Sequence, residues 1–445
     1  MRTDTIAAPA SAPGEAGIAV VRISGPEAAA IVAAIFDRPL RNRRVVTGRV
    51  RDPDTGDVVD ESIGILMRGP RSFTREDVVE LHCHGGAVVV QRVMQILLRM
   101  GARAAEPGEF TLRAFLNGRI DLAQAEAVLD VVRARTEAAH RVAMAGLRGR
   151  ISGAIGEVRE LLLAALAYLV ARIDFPDEDV PEEDIRPRLT EAIGRIDRLL
   201  AGAEAGMLYR EGARVALVGP PNAGKSSLLN RLLREDRAIV TPVAGTTRDT
   251  LEETANIRGI PTVLTDTAGM SDAPEPIEAL GMERTRRAAA TADAVVLVLD
   301  RAAPPPAGLV ELLALTEGRP ALAALNKCDL PAATPHMDLP IPAYEVSATR
   351  GDGVDRLEDV LADLLLRGSA NGGPEMLIGN RRHKDALRRA GESVRSALAG
   401  IEGGLAEDFI SIDVRSALDA LGEITGETAG EDLLDAIFSR FCIGK

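Results

Sequence analysis

No apolar run in this sequence approaches the roughly 20 residues needed to cross a bilayer as a helix, which excludes a helical membrane span. The first 30 residues also lack the basic, apolar and cleavage regions of a secretory signal. Only three cysteines occur, Cys83, Cys328 and Cys442, too few and too scattered for a disulfide framework. These absences predict a cytoplasmic protein in a reducing compartment. Positive charge is scarce as well: 53 Lys and Arg face 66 Asp and Glu, and the net charge of -13 excludes a broadly basic nucleic-acid coat. Any RNA contact is then local, or shared with a partner. Internal repeats are missing too.

What is present is a chain of 445 residues, 46% hydrophobic and 27% charged, with room for two or three globular domains. Residues 1–118 mix short β-like runs (Gly17 to Ile23, Val45 to Val50, Ile63 to Met67, Val78 to His82) with a helical stretch from Val88 to Met100, the texture of an α+β domain. Residues 119–211 are rich in Ala, Leu and Glu, and Leu122, Ala125, Leu129 and Val132 share one helical face. Proline and clustered acids at Asp174-Phe175-Pro176-Asp177 stop a helix there. Residues 212–368 alternate strands and helices, as an α/β domain with a mostly parallel sheet does. Beyond a loose connector from Gly368 to Pro374, residues 369–445 return to helical periodicity. Helical sequence flanks the α/β segment on both sides, which predicts that it is inserted into one all-α helical domain.

The inserted segment carries the chemistry. Val215-Ala216-Leu217-Val218 feeds Gly219-Pro220-Pro221-Asn222-Ala223-Gly224-Lys225-Ser226, and a helical pattern from Ser227 to Leu233 leaves it. In such a loop the backbone N–H groups and the helix N-terminus cradle phosphates, Lys225 reaches the β and γ oxygens, and the Ser226 hydroxyl ligates Mg²⁺. One loop can arise by chance, but Asp266-Thr267-Ala268-Gly269, Asn326-Lys327-Cys328-Asp329 and Ser347-Ala348-Thr349 follow in order. Asp266, at the tip of an apolar strand, holds Mg²⁺ through water, and Gly269 lets the backbone approach the γ-phosphate. Asp329 accepts the N1 and N2 hydrogens of guanine. Two charge-assisted bonds of about 1.5 to 3 kcal/mol each favour guanine over adenine by about 10² to 10⁴. An isolated Asn-Lys-x-Asp can equally be a helix cap after a buried strand; the order of all four elements argues for a GTPase. The candidate GTP-binding set is Asn222, Ala223, Gly224, Lys225, Ser226, Ser227, the switch from Thr241 to Thr247, Asp266, Thr267, Ala268, Gly269, Asn326, Lys327, Asp329, Ser347, Ala348 and Thr349. The fold class is therefore multidomain, with an α+β N-terminal domain, an all-α helical domain and an inserted α/β P-loop GTPase domain.

The segment Thr241-Pro242-Val243-Ala244-Gly245-Thr246-Thr247-Arg248-Asp249 is too rich in Gly, Pro and Thr for an ordinary helix and reads as a first switch. Thr247 would ligate Mg²⁺ while the γ-phosphate is present and let go after hydrolysis. Arg248 is a salt-bridge partner of Asp249 or a neighbouring carboxylate before it is an arginine finger. Met270 stands where many GTPases carry a glutamine that orients the attacking water, and a thioether cannot do that. Glu278, just before the helical pattern from Leu280 to Arg286, has two readings: it polarises water, or it is an N-terminal helix acid favoured by the macrodipole. The residues alone favour the second. His82-Cys83-His84 invites a metal reading, but no further ligand cluster is evident and Gly85-Gly86 reads as a turn. Cys442 by itself reads as a small buried hydrophobe.

Four stretches together resemble the MnmE/TrmE family of tRNA modification GTPases. They are Val21-Arg22-Ile23-Ser24-Gly25, the run from Pro107 to Ala127 around Phe115-Leu116-Asn117-Gly118-Arg119, the switch Ala244 to Asp249, and the terminus Phe441-Cys442-Ile443-Gly444-Lys445. The nucleotide motifs alone would fit many families; the N-terminal and C-terminal stretches single this one out. The resemblance implies GTP hydrolysis coupled, with the flavoprotein MnmG, to adding an aminomethyl or carboxymethylaminomethyl group at C5 of the wobble uridine of certain tRNAs. It implies a homodimer through a folate-binding N-terminal domain, a heterotetramer with MnmG, and FAD only on that partner. A tetrahydrofolate derivative, 5-formyl or methylene, would be held by Arg22, Glu80, Arg119 and Lys445.

In place of an arginine finger the resemblance implies K⁺, held by Asn222, Thr241, Val243 through its carbonyl, and Thr246. It also reverses the reading of Glu278, which matches the family's water-orienting glutamate. Cys442 matches a cysteine needed for the modification. Ser271, where some members carry a basic residue, and His82-Cys83 depart mildly from the family pattern. The competing readings are a ribosome-assembly or signalling GTPase, which would need neither Arg22 and Arg119 nor the terminus from Cys442 to Lys445, and a folate-dependent aminomethyl transferase with a regulatory appendage.

Overall fold

The structure, a computed structural model, describes residues 4–175, 180–235, 254–266, 278–333, 338–366 and 378–445. Contacts group them into two units, one of residues 4–129 with 422–445 and one of the described residues between 130 and 421.

The first unit is built on a six-stranded sheet. Its elements are β1 (Ile6–Pro9), β2 (Ala16–Ser24), α1 (Ala28–Ile35), β3 (Val45–Arg51), β4 (Val58–Met67), β5 (Val78–Gly85), α2 (Ala87–Arg99), β6 (Arg103–Ala104), α3 (Glu109–Leu116) and the start of α4 (Leu122–Arg133). The strand order is β3-β4-β5-β2-β1-β6. Only the β1–β6 pair is parallel. Side chains alternate faces along a strand, so Val21 and Ile23 of β2 and Val79, Leu81 and Cys83 of β5 all enter the core, under Ile31, Val32 and Ile35 of α1 and Val93, Ile96 and Leu97 of α2. The same alternation sends Arg22 and Glu80 to the opposite face, directly across from each other in register.

The expected strands all form, with β4 beginning earlier and β5 running to Gly85 rather than ending at His82. On α4, Leu122, Ala125 and Leu129 are buried against Ile437, Phe438 and Phe441 of the C-terminal segment. Val132, expected on that face, is exposed. Because those C-terminal apolar residues seat against α4, residues 119–129 and 422–445 group with the N-terminal sheet rather than with the remaining helices.

The second unit contains α5 (Glu137–Leu147), α6 (Arg150–Asp174), α7 (Arg186–Ala201), α8 (Ala203–Glu211), β7 (Ala213–Val218), α9 (Lys225–Glu235), β8 (Thr254–Ile257), β9 (Ile260–Asp266), α10 (Glu278–Thr291), β10 (Ala294–Asp300), α11 (Leu309–Ala314), β11 (Ala321–Asn326), β12 (Ala343–Glu345), α12 (Val354–Leu366), α13 (Arg381–Glu402) and most of α14 (Glu407–Thr425). Helix α6 ends at Asp174, where the acidic Pro-containing stretch begins. The strands form one sheet in the order β12-β11-β10-β7-β9-β8, parallel except for the β8–β9 hairpin. Its central strands are near-continuous apolar runs because both faces are covered. Val215, Leu217, Val296 and Val298 pack toward α9 and α12. Ala216, Val218, Val295, Leu297 and Leu299 pack on the other face with Ala289 of α10 and Leu312 of α11.

The helical part packs α7 on α13, with Leu189, Ala192, Ile196 and Leu199 of α7 and Ala386, Leu387, Ala390, Val394 and Ala397 of α13 buried. A salt bridge from Arg172 to Glu407, 2.5 Å, and a hydrogen bond from Arg159 to the Leu418 carbonyl, 3.0 Å, tie α6 to α14. No helix among the described residues is long and apolar enough to cross a membrane.

Candidate functional site

Strands β7, β9, β11 and β12 all point their C-terminal ends the same way, and the nucleotide motifs stand at those ends, where open α/β sheets bind ligands. The phosphate loop leaves β7 at Gly219, whose φ of +156° would bring a side chain to 2.1 Å from the Val298 carbonyl. Asn222 takes the left-handed conformation at φ 61°. Gly224, at φ +90°, faces Asn326 so closely that a Cβ would lie 2.1 Å from its amide nitrogen. Helix α9 then begins at Lys225, two residues before the helical pattern is legible in sequence, with Ser226 and Ser227 exposed on its first turn. Lys225 is buried, and its Nζ donates to the carbonyls of Gly219 at 2.9 Å and Pro220 at 2.8 Å, folding the ammonium back over the loop.

The residues expected to read the base form a second loop cluster. Asn326 is only 2% exposed. Its Nδ2 donates to the Ala223 carbonyl at 2.8 Å and its Oδ1 accepts from the Ala348 N–H at 3.0 Å, so it joins the phosphate loop to the Ser347-Ala348-Thr349 loop. Lys327 is left-handed at φ 66° and its Nζ reaches Asp300 Oδ2 at 2.6 Å. The Ser347 hydroxyl beside Asp329 holds that carboxyl below the usual carboxylate range, which favours its ionised form. The helix-cap reading gives Asn326 no such pair of tertiary partners.

Two residues here escaped the sequence reading. Arg231 of α9 donates from Nε to the Ala348 carbonyl at 3.0 Å and from a terminal nitrogen to that of Thr349, and Asp300 neutralises Lys327. Their partners are far along the chain, so spacing carries no signal for them. Asp266 ends β9 opposite Leu217 of β7, beside the loop; its side chain and that of Glu278, the first residue of α10, lie outside the described residues. So do Thr241, Pro242, Val243, Ala244, Gly245, Thr246 and Thr247 of the first switch, and Thr267, Ala268 and Gly269.

The first unit holds a second constellation. Arg22 donates from Nε to Glu80 Oε1 at 2.9 Å and from Nη1 to the Gly444 carbonyl at 3.2 Å. Its guanidinium carbon lies 5.8 Å from the Phe73 ring centre and 5.7 Å from that of Phe110. Arg119 lies over the same Phe73 ring at 4.9 Å and donates to the Ser72 carbonyl at 3.1 Å. Burial, then the charge of Arg75, lowers the Arg119 pKa from its usual value. Gly444, φ +91°, passes so close to β1 that a Cβ would be 2.1 Å from the Pro9 carbonyl, and Lys445 follows it, half-buried. Arg22, Glu80, Arg119 and the terminus are thus brought together around Phe73, an aromatic that the sequence reading missed.

Cys442 is exposed, which removes its reading as a buried hydrophobe. Cys83 is buried, and burial pushes its thiol up to about 11. His82 and His84 turn to different carboxylates: His82 Nε2 lies 3.3 Å from Glu80 Oε2, and His84 Nδ1 lies 2.7 Å from Asp60 Oδ1.

Comparison with known proteins covers the whole chain. The family described as "MnmE helical domain" matches residues 122–442, and the one described as "GTP-binding protein TrmE N-terminus" matches residues 5–119. The chain is 51% identical over 451 residues to "tRNA modification GTPase MnmE" of Chloroflexus aurantiacus, covering 99% of this chain and 100% of that one. It is 50% identical to the protein so named in Roseiflexus sp., covering 99% of each chain. The one from Symbiobacterium thermophilum is 47% identical, with both chains covered completely. The chain belongs to the MnmE family of tRNA modification GTPases.

Proposed function

We propose that this chain hydrolyses GTP in order to drive modification of C5 of the wobble uridine in certain tRNAs, with the flavoprotein MnmG as partner in a heterotetramer built on a homodimer. The observation that carries the nucleotide half is the joining of two loops through one buried side chain, Asn326, at the C-terminal edge of a parallel sheet. Asp329 reads guanine, the Ala348 loop closes over the base, and Asn222, Ala223, Gly224, Lys225, Ser226 and Ser227 receive the phosphates. Ser226, with Thr247, is suited to hold Mg²⁺, an oxygen-seeking ion, as an exposed hydroxyl on the first turn of α9. Asn222, Thr241, Val243 and Thr246 would offer oxygens to K⁺, which when bound supplies positive charge beside the phosphates. Glu278, at the start of α10, orients the attacking water.

The modification half rests on the corner around Phe73. A tetrahydrofolate, 5-formyl or methylene, fits its donor set: Arg22, Arg119 and Lys445 suit the carboxylates of the glutamate tail, and Glu80 suits the donor edge of the pterin. When bound, the folate supplies the one-carbon unit. Cys442, exposed at the terminus that Arg22 holds through Gly444, is available to the reaction. In this reading residues 1–118 form the folate-binding and dimerisation domain, 119–211 and 369–445 the helical domain, and 212–368 the GTPase domain of a cytoplasmic enzyme.

Nucleoside analysis of tRNA from cells lacking this protein tests the reading. The C5-modified wobble uridine is expected to disappear, to return with the wild-type gene, and to stay absent with Cys442→Ser. Unchanged nucleosides in the deletion would leave a switch GTPase without modification chemistry.

A further inference from the structure

One segment carries a charge opposite to that of the chain as a whole. From Arg133 to Arg150 stand five arginines and His140 against a single carboxylate, Glu137, in a chain of net charge -13. Helix α5 is the centre of this segment. Its Ala138, Ala139, Ala143 and Gly146 are buried, which turns His140, Arg141 and Arg148 to solvent, where Arg133, Arg135 and Arg150 are exposed too. Arg141 and Arg148 are seven positions apart, two helical turns, so they share one face about 10 Å apart along the axis. Neither is joined to a carboxylate among the described residues.

We propose that this arginine face of α5 is where the chain touches the phosphate backbone of its tRNA, an inference that rests on the tRNA reading above. The span of about 10 Å from Arg141 to Arg148 is long enough for the two guanidinium groups to meet different phosphates of one nucleic-acid strand. Arginine, with its planar fork, suits phosphate oxygens better than a point charge does. The segment from Arg133 to Arg150 contains no Phe, Tyr or Trp, so its arginines stand without a large aromatic platform for stacking bases. The contact is therefore to backbone and independent of base sequence.

The helix is rigidly mounted for this task. Thr136 caps it, accepting from the Ala139 N–H at 3.1 Å and donating to the Gly259 carbonyl at 2.7 Å, and Arg135 donates to Thr254 Oγ1 at 2.9 Å. Gly259 is in the turn from β8 to β9, so the cationic face is braced on the hairpin whose second strand ends at Asp266.

The test uses the full chain and an unmodified tRNA transcript, with fluorescence anisotropy followed from about 50 to about 200 mM KCl. The double variant Arg141→Ala with Arg148→Ala is expected to bind about tenfold more weakly, with the slope of log affinity against log salt reduced by about 1 to 2. Lysine at both positions is expected to keep most of the slope. An unchanged melting temperature and unchanged affinity for a fluorescent GDP analogue establish that the variant folds. Equal affinity and slope in wild type and the alanine variant overturn this surface while leaving the tRNA reading intact. Absence of salt-dependent RNA binding in the wild type overturns both. If the alanine variant loses binding to a polyglutamate peptide and keeps tRNA affinity, the face belongs to an acidic protein and the inference falls.

Discussion

Asn326 Nδ2 stands 2.8 Å from the carbonyl oxygen of Ala223, and through that one bond the loop proposed to read the base holds the loop proposed to receive the phosphates. The other end of the same amide accepts from Ala348, so neither loop can shift without costing a hydrogen bond. Replacing Asn326 with Ala strands two backbone groups in a closed site, at about 1 to 3 kcal/mol each. Nucleotide affinity is expected to drop by about 10² or more, read by titration with a fluorescent GDP analogue. An affinity within twofold of wild type would dissolve this coupling.

Asp329 is expected to set base choice, and its protonation the pH range of guanine binding. Asp329→Asn turns an acceptor pair into a donor and an acceptor, so preference is expected to move from GTP toward XTP by about 10² or more. The carboxyl pKa is depressed by the Ser347 hydroxyl, so the ionised form persists below the usual value of about 4 and guanine binding is lost only as pH falls through the depressed value. Ser347→Ala removes that hydrogen bond, and the acid limb of a GDP-binding titration is expected to move to higher pH. No movement would assign the depression elsewhere.

Glu278 is expected to act on the rate and not on binding. In Glu278→Ala, single-turnover hydrolysis should slow by about 10² or more while GTP affinity stays nearly that of wild type. Turnover should be faster in K⁺ than in Na⁺ at equal ionic strength. Equal rates in the two salts would eliminate potassium from the mechanism.

Cys442 and Cys83 are expected to separate cleanly in alkylation. Cys442, exposed, should label at once near neutral pH; Cys83, buried with its thiol raised to about 11, should label only on unfolding. Peptide mapping after a short pulse of iodoacetamide decides it. Early labelling of Cys83 would mean that the first sheet opens locally.

Much of the fold was legible because its signals are local. The apolar runs that become β7, β10 and β11 are buried on both faces, and a strand that needs no polar side announces itself in sequence. Boundaries were less legible: β5 continues through His82-Cys83-His84 to Gly85 because those side chains alternate between carboxylate partners and the core, and α9 starts at Lys225 because the loop glycine before it ends the turn. Val132 continues the apolar spacing of α4, yet is exposed, since the C-terminal residues that cover Leu122 and Leu129 do not extend over it.

The nucleotide motifs were legible in sequence: each is a few contiguous residues whose type and spacing are enough to recognise it. The corner around Phe73 was decided only by folding. Arg22 meets Glu80 across 58 positions and Gly444 across 422, and Phe73 serves two arginines that no spacing relates. The physical reason is that a phosphate is held by consecutive N–H groups of one loop, whereas an exposed charge becomes a binding group only when strand register and a returning chain end surround it with partners.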